Sequence, residues 1–365
     1  MRIREKPQRS DQHRLPPAES PRELPLPGAT REVLPARLKD CRNVGLLFDR
    51  YVRFQPGWQL GTYKKGNRDH SAKMFNIEEI AVAQIQCRQD RNWQEVHSQF
   101  VVRWKVSVRD LGAEPFRMYP EWRFAVGLGD KGALEVGLTF HRIYGFPIIP
   151  GSALKGLARA AALWEIAEAL GIPALPLHEA KARAKDKAKT PLEKLQAALL
   201  AYDERVKDGK ERAKMREDEK KALRTLEEEV PEVYLEAHQS LVAHFRAVFG
   251  TLHAAGQAVF FDGVPAEPPT LKPDVMNVHY QDYYSGKRDS RGQPIPPADY
   301  LNPNPIPFLT VGEGSAFLFA VGWRGPAEPE TQKQAVVWLK CGLTQLGAGA
   351  KTSAGYGYFT PGEAK

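Results

Sequence analysis

The stretch EWRFAVGLGDKGALEVGLTFHRIYGFPIIPGSALKGLARAAALWEIAEAL, residues 121–170, decides the fold class. Two apolar, strand-like runs flank Gly129-Asp130-Lys131-Gly132, a composition that suits a hairpin turn. In the second run Leu134, Val136, Leu138 and Phe140 alternate with Glu135, Gly137, Thr139 and His141. Side chains of an extended chain point to opposite faces in turn. The spacing therefore predicts a strand over 134–141, its apolar set on the core and His141 at its end. The period then changes. From Ser152 the pattern is helical, with Ser152 as N-cap and Leu154, Leu157, Ala161 and Trp164 as the buried stripe. Lys155 and Arg159 are four apart and share one face. Free N–H groups at such a helix start favour an anion.

Downstream, QSLVAHFRAVFG reads as a short helix and QAVFFDG as a short buried strand. FLTVGEGSAFLFAVGW reads as a hairpin through Gly312-Glu313-Gly314, and TQKQAVVWLKCGLTQL as an amphipathic helix that Gly347 ends. GYGYF is a last strand. Strands near 134–141, 257–262, 315–322 and 356–360, with helices near 152–170 and 331–346, give the order strand, helix, strand, strand, helix, strand. That order predicts an α+β fold with a ferredoxin-like core, the arrangement RNA-recognition domains use.

Upstream, NVGLLFDRYVRF and NIEEIAVAQIQCRQDRNW suit helices, and FVVRWKVSV reads as a strand. Residues 1–35, rich in Pro, Arg and Glu, read as a disordered or loosely docked arm before one domain over 36–365. Two decorations are expected. Residues 175–230 read as a charged, exposed helical insertion, and 272–305 as a long, non-periodic loop.

The formal net charge of +8 favours a polyanionic partner, chiefly nucleic acid. Three well-separated cysteines, with no CxxC, argue against a disulfide framework or cysteine-rich zinc site and fit a reducing cytoplasm. No stretch is long and apolar enough to suggest a membrane span, and no apolar run follows the basic N-terminus, so no secretory signal is expected. His238 and His244 are six apart on one apparent helix, which places them on different faces, and HExxH is absent. Neither a metal nor another cofactor is expected.

Near the C-terminus, GAGAKTSAGYGYF (347–359) poses the functional question. A P-loop has lysine directly after its second glycine, follows a strand and opens a helix. Here Ala350 separates Gly349 from Lys351, and the loop follows a helix and opens a strand. A dinucleotide fold fails on the same context. A helix cap explains Gly347 alone. Gly349, Gly355 and Gly357, with Lys351, Thr352 and Ser353, suit a loop that cradles RNA phosphates.

These residues carry a resemblance. GLTFHRIYGFPIIPGSALKGLAR, VFFDGVP, DVMNVHYQDYY, NVGLLFDRY and the glycine loop are similar to the RAMP superfamily of CRISPR proteins. Within it they resemble the family of the sixth Cmr subunit of type III-B effector complexes, with Val278 where that pattern has proline. The resemblance spans roughly residues 44–360. It implies a ferredoxin-like RNA-binding core and a subunit that holds guide (crRNA) and target RNA near the guide's 3′ end. It also implies neighbours: the backbone RAMP subunit, Cmr subunit one and the small subunit. Cleavage then belongs to other subunits.

For binding, Lys155, Arg159 and Lys351 are expected to neutralise phosphates. Ser152, Thr352 and Ser353 donate to phosphate oxygens. His279, Tyr280, Tyr283 and Tyr284 offer flat faces, with Lys287, Arg288 and Arg291 beside them. The same HYQDYY run also fits a packed loop or a subunit contact. Two rival functions stand beside this one. A metal-independent endoribonuclease would use His141, Tyr144 and Lys351, whereas in the RNA-holding reading His141 stacks on or hydrogen-bonds RNA, or caps the strand. A scaffold would turn the basic surface towards acidic protein neighbours. Asp49, the nearest candidate for acid-based cleavage, is expected instead to support a helix start.

Overall fold

A computed structural model describes residues 23–24, 26–65, 68–185, 188–201, 228, 230, 233, 239–252, 254–278, 280–297 and 304–362. Its central sheet is antiparallel, in the order Phe359–Thr360, Phe116–Pro120, Phe317–Phe319, Val264–Pro265. By position along the chain these are the fourth, first, third and second strands of the sheet. The second and third continue past a short irregularity, where Ala258–Phe260 pairs with Val321–Trp323 and Phe261 N–H donates to Ala320 O. The Gly151–Ala169 helix links the first strand to the second, and the Pro329–Cys341 helix links the third to the fourth. The two helices pack together. Between them Glu165 accepts from Gln334 Nε2 at 3.0 Å and Trp338 Nε1 at 2.9 Å. Phe124, Phe317, Phe319 and Phe359 are completely buried and meet as a ring cluster under the sheet.

The first strand is Phe116–Pro120, not 134–141. Residues 126–139 do run back on themselves, with Thr139 N–H donating to Val126 O and Gly137 N–H to Leu128 O. Leu134, Val136 and Leu138 are buried as their alternation requires. Glu135, however, takes a left-handed φ of 64°, which bends the run out of the extended path a ladder needs. FVVRWKVSV is also not a strand. It belongs to the Arg91–Asp110 helix, capped by Asp90 accepting from Trp93 N–H. Its buried residues, Trp93, His97, Val101 and Val108, have helical spacing, while Val102 and Val106 are exposed. Strand propensity lost to the helical period.

Pro150, not Ser152, is the N-cap of the next helix. Gly151 N–H donates to Asp262 Oδ1 at 2.7 Å, so the chain's own carboxylate occupies the helix start expected to attract an anion. A Cβ at 151 would lie 2.1 Å from Phe260 O, which explains the glycine. The buried stripe runs through Leu154, Ala158, Ala161, Ala162 and Ile166, whereas Trp164 is 46% exposed.

The Gly312–Gly314 turn does not join a hairpin. Asn304–Val311 pairs with Leu271–Val278 instead, and Phe317–Phe319 enters the main sheet. Lys272 pairs with Glu313, and Gly312 N–H donates to Thr270 O, drawing the turn to the other strand. Only the ends of the expected 272–305 loop, residues 272–278 and 304–305, belong to an antiparallel ribbon of eight-residue strands. Pro273, Pro305 and Pro307 disguise it, because proline is tolerated in strands that each have an open edge. The ribbon packs on the Ala72–Gln89 helix, where Gln84 Nε2 donates to Pro269 O.

At the N-terminal end Leu24 is buried, Glu23 bridges Phe54, and a helix spans Gly28–Arg37. The rest of the expected arm, 1–22 and 25, lies outside the described residues. Of the expected insertion, Leu177–Lys185 is a mostly exposed helix, but Pro191–Ala201 buries Leu195, Ala198 and Leu199 in the core. The charged run 207–229 falls, apart from Glu228, outside the described residues, as does His238.

Candidate nucleic-acid interface

The Pro329–Cys341 helix closes in a wider turn over Gly342–Leu346 and stops at Gly347, whose φ is 78°. The loop then folds back on residues 123–126. Ala350 N–H donates to Ala125 O at 2.8 Å, Gly357 N–H to Arg123 O at 2.9 Å, and Ala348 N–H to Gly357 O at 2.7 Å. Gly347, Gly349, Lys351, Gly355 and Gly357 all have positive φ. At Gly349 and Gly357 an added Cβ would lie 2.3 Å from the Ala125 and Ala348 carbonyl oxygens. Those two glycines serve the loop's close approach to its own backbone, and Gly355 alone has a positive φ with open space.

The stem of the loop is buried at Ala348 and Tyr356, and its tip over 353–355 is exposed. Lys351 and Thr352 are half-buried beside Ser353. Among the described residues the N–H groups of Lys351, Thr352 and Ser353 have no acceptor, because the short turn Thr352–Ala354 starts there without a side-chain cap. Three consecutive free donors, an ammonium and two hydroxyls are the kinds of group an anion site uses.

A polar network holds the stem. Tyr356 OH donates to Asp274 Oδ2 at 2.8 Å, and Arg123 Nη1 donates to the same oxygen at 2.8 Å. Burial first, then this bond to Asp274, pushes the Tyr356 phenol up to about 12. The Lys351 ammonium lies 5.8 Å from the centre of the Phe308 ring. Trp122, 42% exposed, packs on Tyr356 at 4.7 Å between ring centres.

His141 stands in a tight turn. Its Nδ1 accepts from the N–H groups of Ile143 and Tyr144, each at 3.3 Å, and its ring packs among Phe100, Tyr144 and Phe146. Burial lowers its pKa, opposed by the charge of Asp262. Asn43 holds this turn: its Oδ1 accepts from Leu46 N–H as a helix cap, while its Nδ2 donates to Ile143 O. Asp49 therefore does not support the helix start. It sits near the C-terminal end of Val44–Arg50, its pKa raised by burial, beside a cavity of about 180 Å³ also lined by Arg50, His141 and Arg142. His141 and Tyr144 are thus together. Lys351 is not joined to them by any contact among the described residues, and Tyr144 OH is bonded to Arg103 Nη2.

Lys155 and Arg159 gain a neighbour, Arg324, that no sequence pattern singles out. Burial lowers the Lys155 pKa, and the charges of Arg324 and Arg159 lower it further. Among the described residues none of these three cations has an ion-pair partner, so together they make an uncompensated basic cluster. Ser152 is exposed on the first turn of the same helix.

At the far end of the ribbon, Gln281–Tyr284 forms a single helical turn. Tyr283 and Tyr284 are 46% and 75% exposed. Tyr280 is half-buried. Lys287 is paired with Asp282 at 3.1 Å, and Arg288 Nη1 donates to Gly292 O, so both cations are partly spent within the tip. His279 lies outside the described residues.

The sequence model of the RAMP superfamily matches residues 122–360. The CRISPR system Cmr subunit Cmr6 of Pyrococcus furiosus is 34% identical over 272 residues, which are 72% of this chain and 72% of that protein. Among solved structures, the crystal structure of Cmr6 from Pyrococcus furiosus is 29% identical, with a TM-score of 0.39 over 68% of this chain and 96% of that one. A chain in the cryo-EM structure of the Type III-B Cmr-beta bound to cognate target RNA is 16% identical, with a TM-score of 0.40 over 78% of this chain and 74% of that one. The chain belongs to the RAMP superfamily and, within it, to the Cmr6 family of CRISPR Cmr subunits.

Proposed function

We propose that this RAMP chain is a non-catalytic, RNA-holding subunit of a cytoplasmic type III-B CRISPR–Cas effector that acts in antiviral defence. In this reading it grips the guide near its 3′ end, together with the guide–target duplex, through phosphates rather than base edges. Sequence specificity then comes from base pairing. Its neighbours are the backbone RAMP subunit, Cmr subunit one and the small subunit. Family membership supports the Cmr assignment. The fourth–first–third–second strand order, with a helix after the first and third strands, supports a ferredoxin-like core.

The observation that carries RNA holding is the glycine-loop tip, where three consecutive N–H groups without an acceptor among the described residues, Lys351 and two hydroxyls follow one another above a buried stem. Binding is favoured over cleavage because His141 spends Nδ1 on backbone donors and Lys351 rests on Phe308. The trio expected of a metal-independent ribonuclease is split, with His141 and Tyr144 together and Lys351 elsewhere among the described residues.

The test is a tagged pull-down from the native host, with bound RNA sequenced and bound proteins identified. Short RNAs sharing one repeat-derived 5′ end, together with other RAMP proteins, are the expected result. Recovery of the chain alone, with repeat RNA that it cleaves in EDTA, would replace this reading with the endoribonuclease.

A further inference from the structure

The ribbon meets the glycine loop at one cross-strand pair. Asp274 lies directly opposite Phe308 in the antiparallel register, so both side chains leave the same face. Asp274 takes Tyr356, at the end of the loop tip. Phe308 takes the ammonium of Lys351, at its beginning. One register position therefore holds both ends of the segment 351–356.

We propose that Asp274 is a positioning residue for RNA binding: with Phe308 it lets the ribbon fix the shape of the glycine loop, so that loop and ribbon respond to RNA as one unit. This rests on the reading of the loop as an RNA grip.

Both carboxylate oxygens are used. Oδ2 accepts from Tyr356 OH and Arg123 Nη1, and Oδ1 accepts from Val275 N–H at 2.8 Å. Arg123 Nη1 also reaches Pro273 O at 3.4 Å, a second tie to the same strand. Arg123 in turn belongs to the segment on which the loop stem rests, since Gly357 N–H donates to its carbonyl. Two distant parts of the chain, at Arg123 and Tyr356, thus converge on one oxygen of the ribbon. Arg123 Nε is already buried without a partner among the described residues, so removing the carboxylate leaves a half-buried guanidinium and a buried phenol without their charged acceptor.

Lys351 shows why such a clamp is needed. It is a non-glycine residue at φ 60°, a conformation that persists only where the surroundings impose it. That conformation leaves the N–H groups of 351–353 without acceptors. The ribbon supplies the constraint from outside the loop, through Tyr356 and through the ring beneath the Lys351 ammonium. Coupling of this kind is reciprocal: whatever RNA gains by finding the loop preformed, the ribbon gains in order when RNA binds.

The test uses the purified full chain and a labelled single-stranded RNA of guide length. Asp274→Ala is expected to weaken binding by about 10-fold, with Asp274→Asn, which keeps an acceptor for Tyr356, recovering part of the loss. Lys351→Ala alone should also weaken binding, but in the Asp274→Ala background it should add less than about 2-fold. Hydrogen exchange across 271–278 should slow when RNA is added to the native chain and not when it is added to Asp274→Ala. If Asp274→Ala does not fold, Tyr356→Phe removes one hydroxyl and takes its place in the same cycle. Multiplicative losses, with equal RNA-induced protection in both proteins, would leave Asp274 a merely structural residue and overturn the proposal. Native chain that binds no RNA would remove the RNA reading itself, and this inference with it.

Discussion

Gly349 and Gly355 separate two meanings of a glycine-rich loop. Both have positive φ, at 98° and 89°. Alanine in such a conformation costs about 1–2 kcal/mol, offset by about 0.5–1 kcal/mol from the less flexible unfolded chain. At Gly355 nothing lies within 4 Å of an added Cβ, so the net cost there is about 1 kcal/mol or less. At Gly349 the new Cβ would sit 2.3 Å from Ala125 O and 3.0 Å from Val126 Cγ2. Relief needs a backbone shift that breaks the Ala350 N–H to Ala125 O bond, which adds about 1 kcal/mol, plus the strain of moving the packed segment at 125–126. Gly349→Ala should therefore lose about 2–4 kcal/mol, roughly 2 kcal/mol more than Gly355→Ala. Urea unfolding of both variants, compared at equal m-value, reads the difference directly. RNA affinity measured on the folded proteins adds the functional half. Equal destabilisation by the two variants would refute the reasoning. So would a Gly349→Ala protein within about 0.5 kcal/mol of native, because the loop would then not be wedged against its own carbonyls.

Lys351→Ala should reduce the slope of log affinity against log salt by about one, read by anisotropy over a salt series; an unchanged slope would place Lys351 off the phosphates. Tyr283→Ala and Tyr284→Ala should each cost about 1–3 kcal/mol of single-stranded RNA affinity where a base stacks. Both rings are exposed, so the unfolding midpoint should stay put, and unchanged affinity would assign the tip to a protein neighbour. His97 is 3% exposed, and burial pushes its pKa from 6.5 down to about 4. Its folded form thus resists protonation while the unfolded chain accepts it. The resulting stability is complete above the unfolded value and is lost as pH falls towards 4, by up to about 3 kcal/mol. His97→Phe should flatten the urea midpoint between those pH values relative to native, and an undiminished slope would assign it to carboxylates instead.

Much of the fold was legible because its elements carry local signals. The Gly151–Ala169 helix follows Pro-Gly and has a sustained helical period, and the glycine run marks a chain that must turn repeatedly. The failures share one cause, which is that a local pattern does not say which partner a segment will meet. Residues 134–138 alternate as a strand should and bury the correct side chains, yet a left-handed Glu135 keeps them out of the sheet. Phe116–Pro120 takes the first-strand place with only five residues, none of them a branched aliphatic. Valines made a helix look like a strand, and prolines made a ribbon look like a loop.

The candidate site divides in the same way. Lys351, Thr352 and Ser353 could be read from sequence because they are contiguous and sit among glycines. Asp274, Phe308 and Arg123 could not, since they become neighbours only through the ribbon's register and the loop's return to residues 123–126. Arg324 was equally hidden, brought to Lys155 by the strand that ends beside it. Residues that touch a ligand can be guessed from composition, whereas those that hold the touching residues in place are products of the fold. In the proposed reading that second group bears on function as much as the first. The free N–H groups at 351–353 exist only while Lys351 keeps a backbone conformation its own side chain disfavours, and the constraint on it comes from residues some 40 to 80 positions away along the chain.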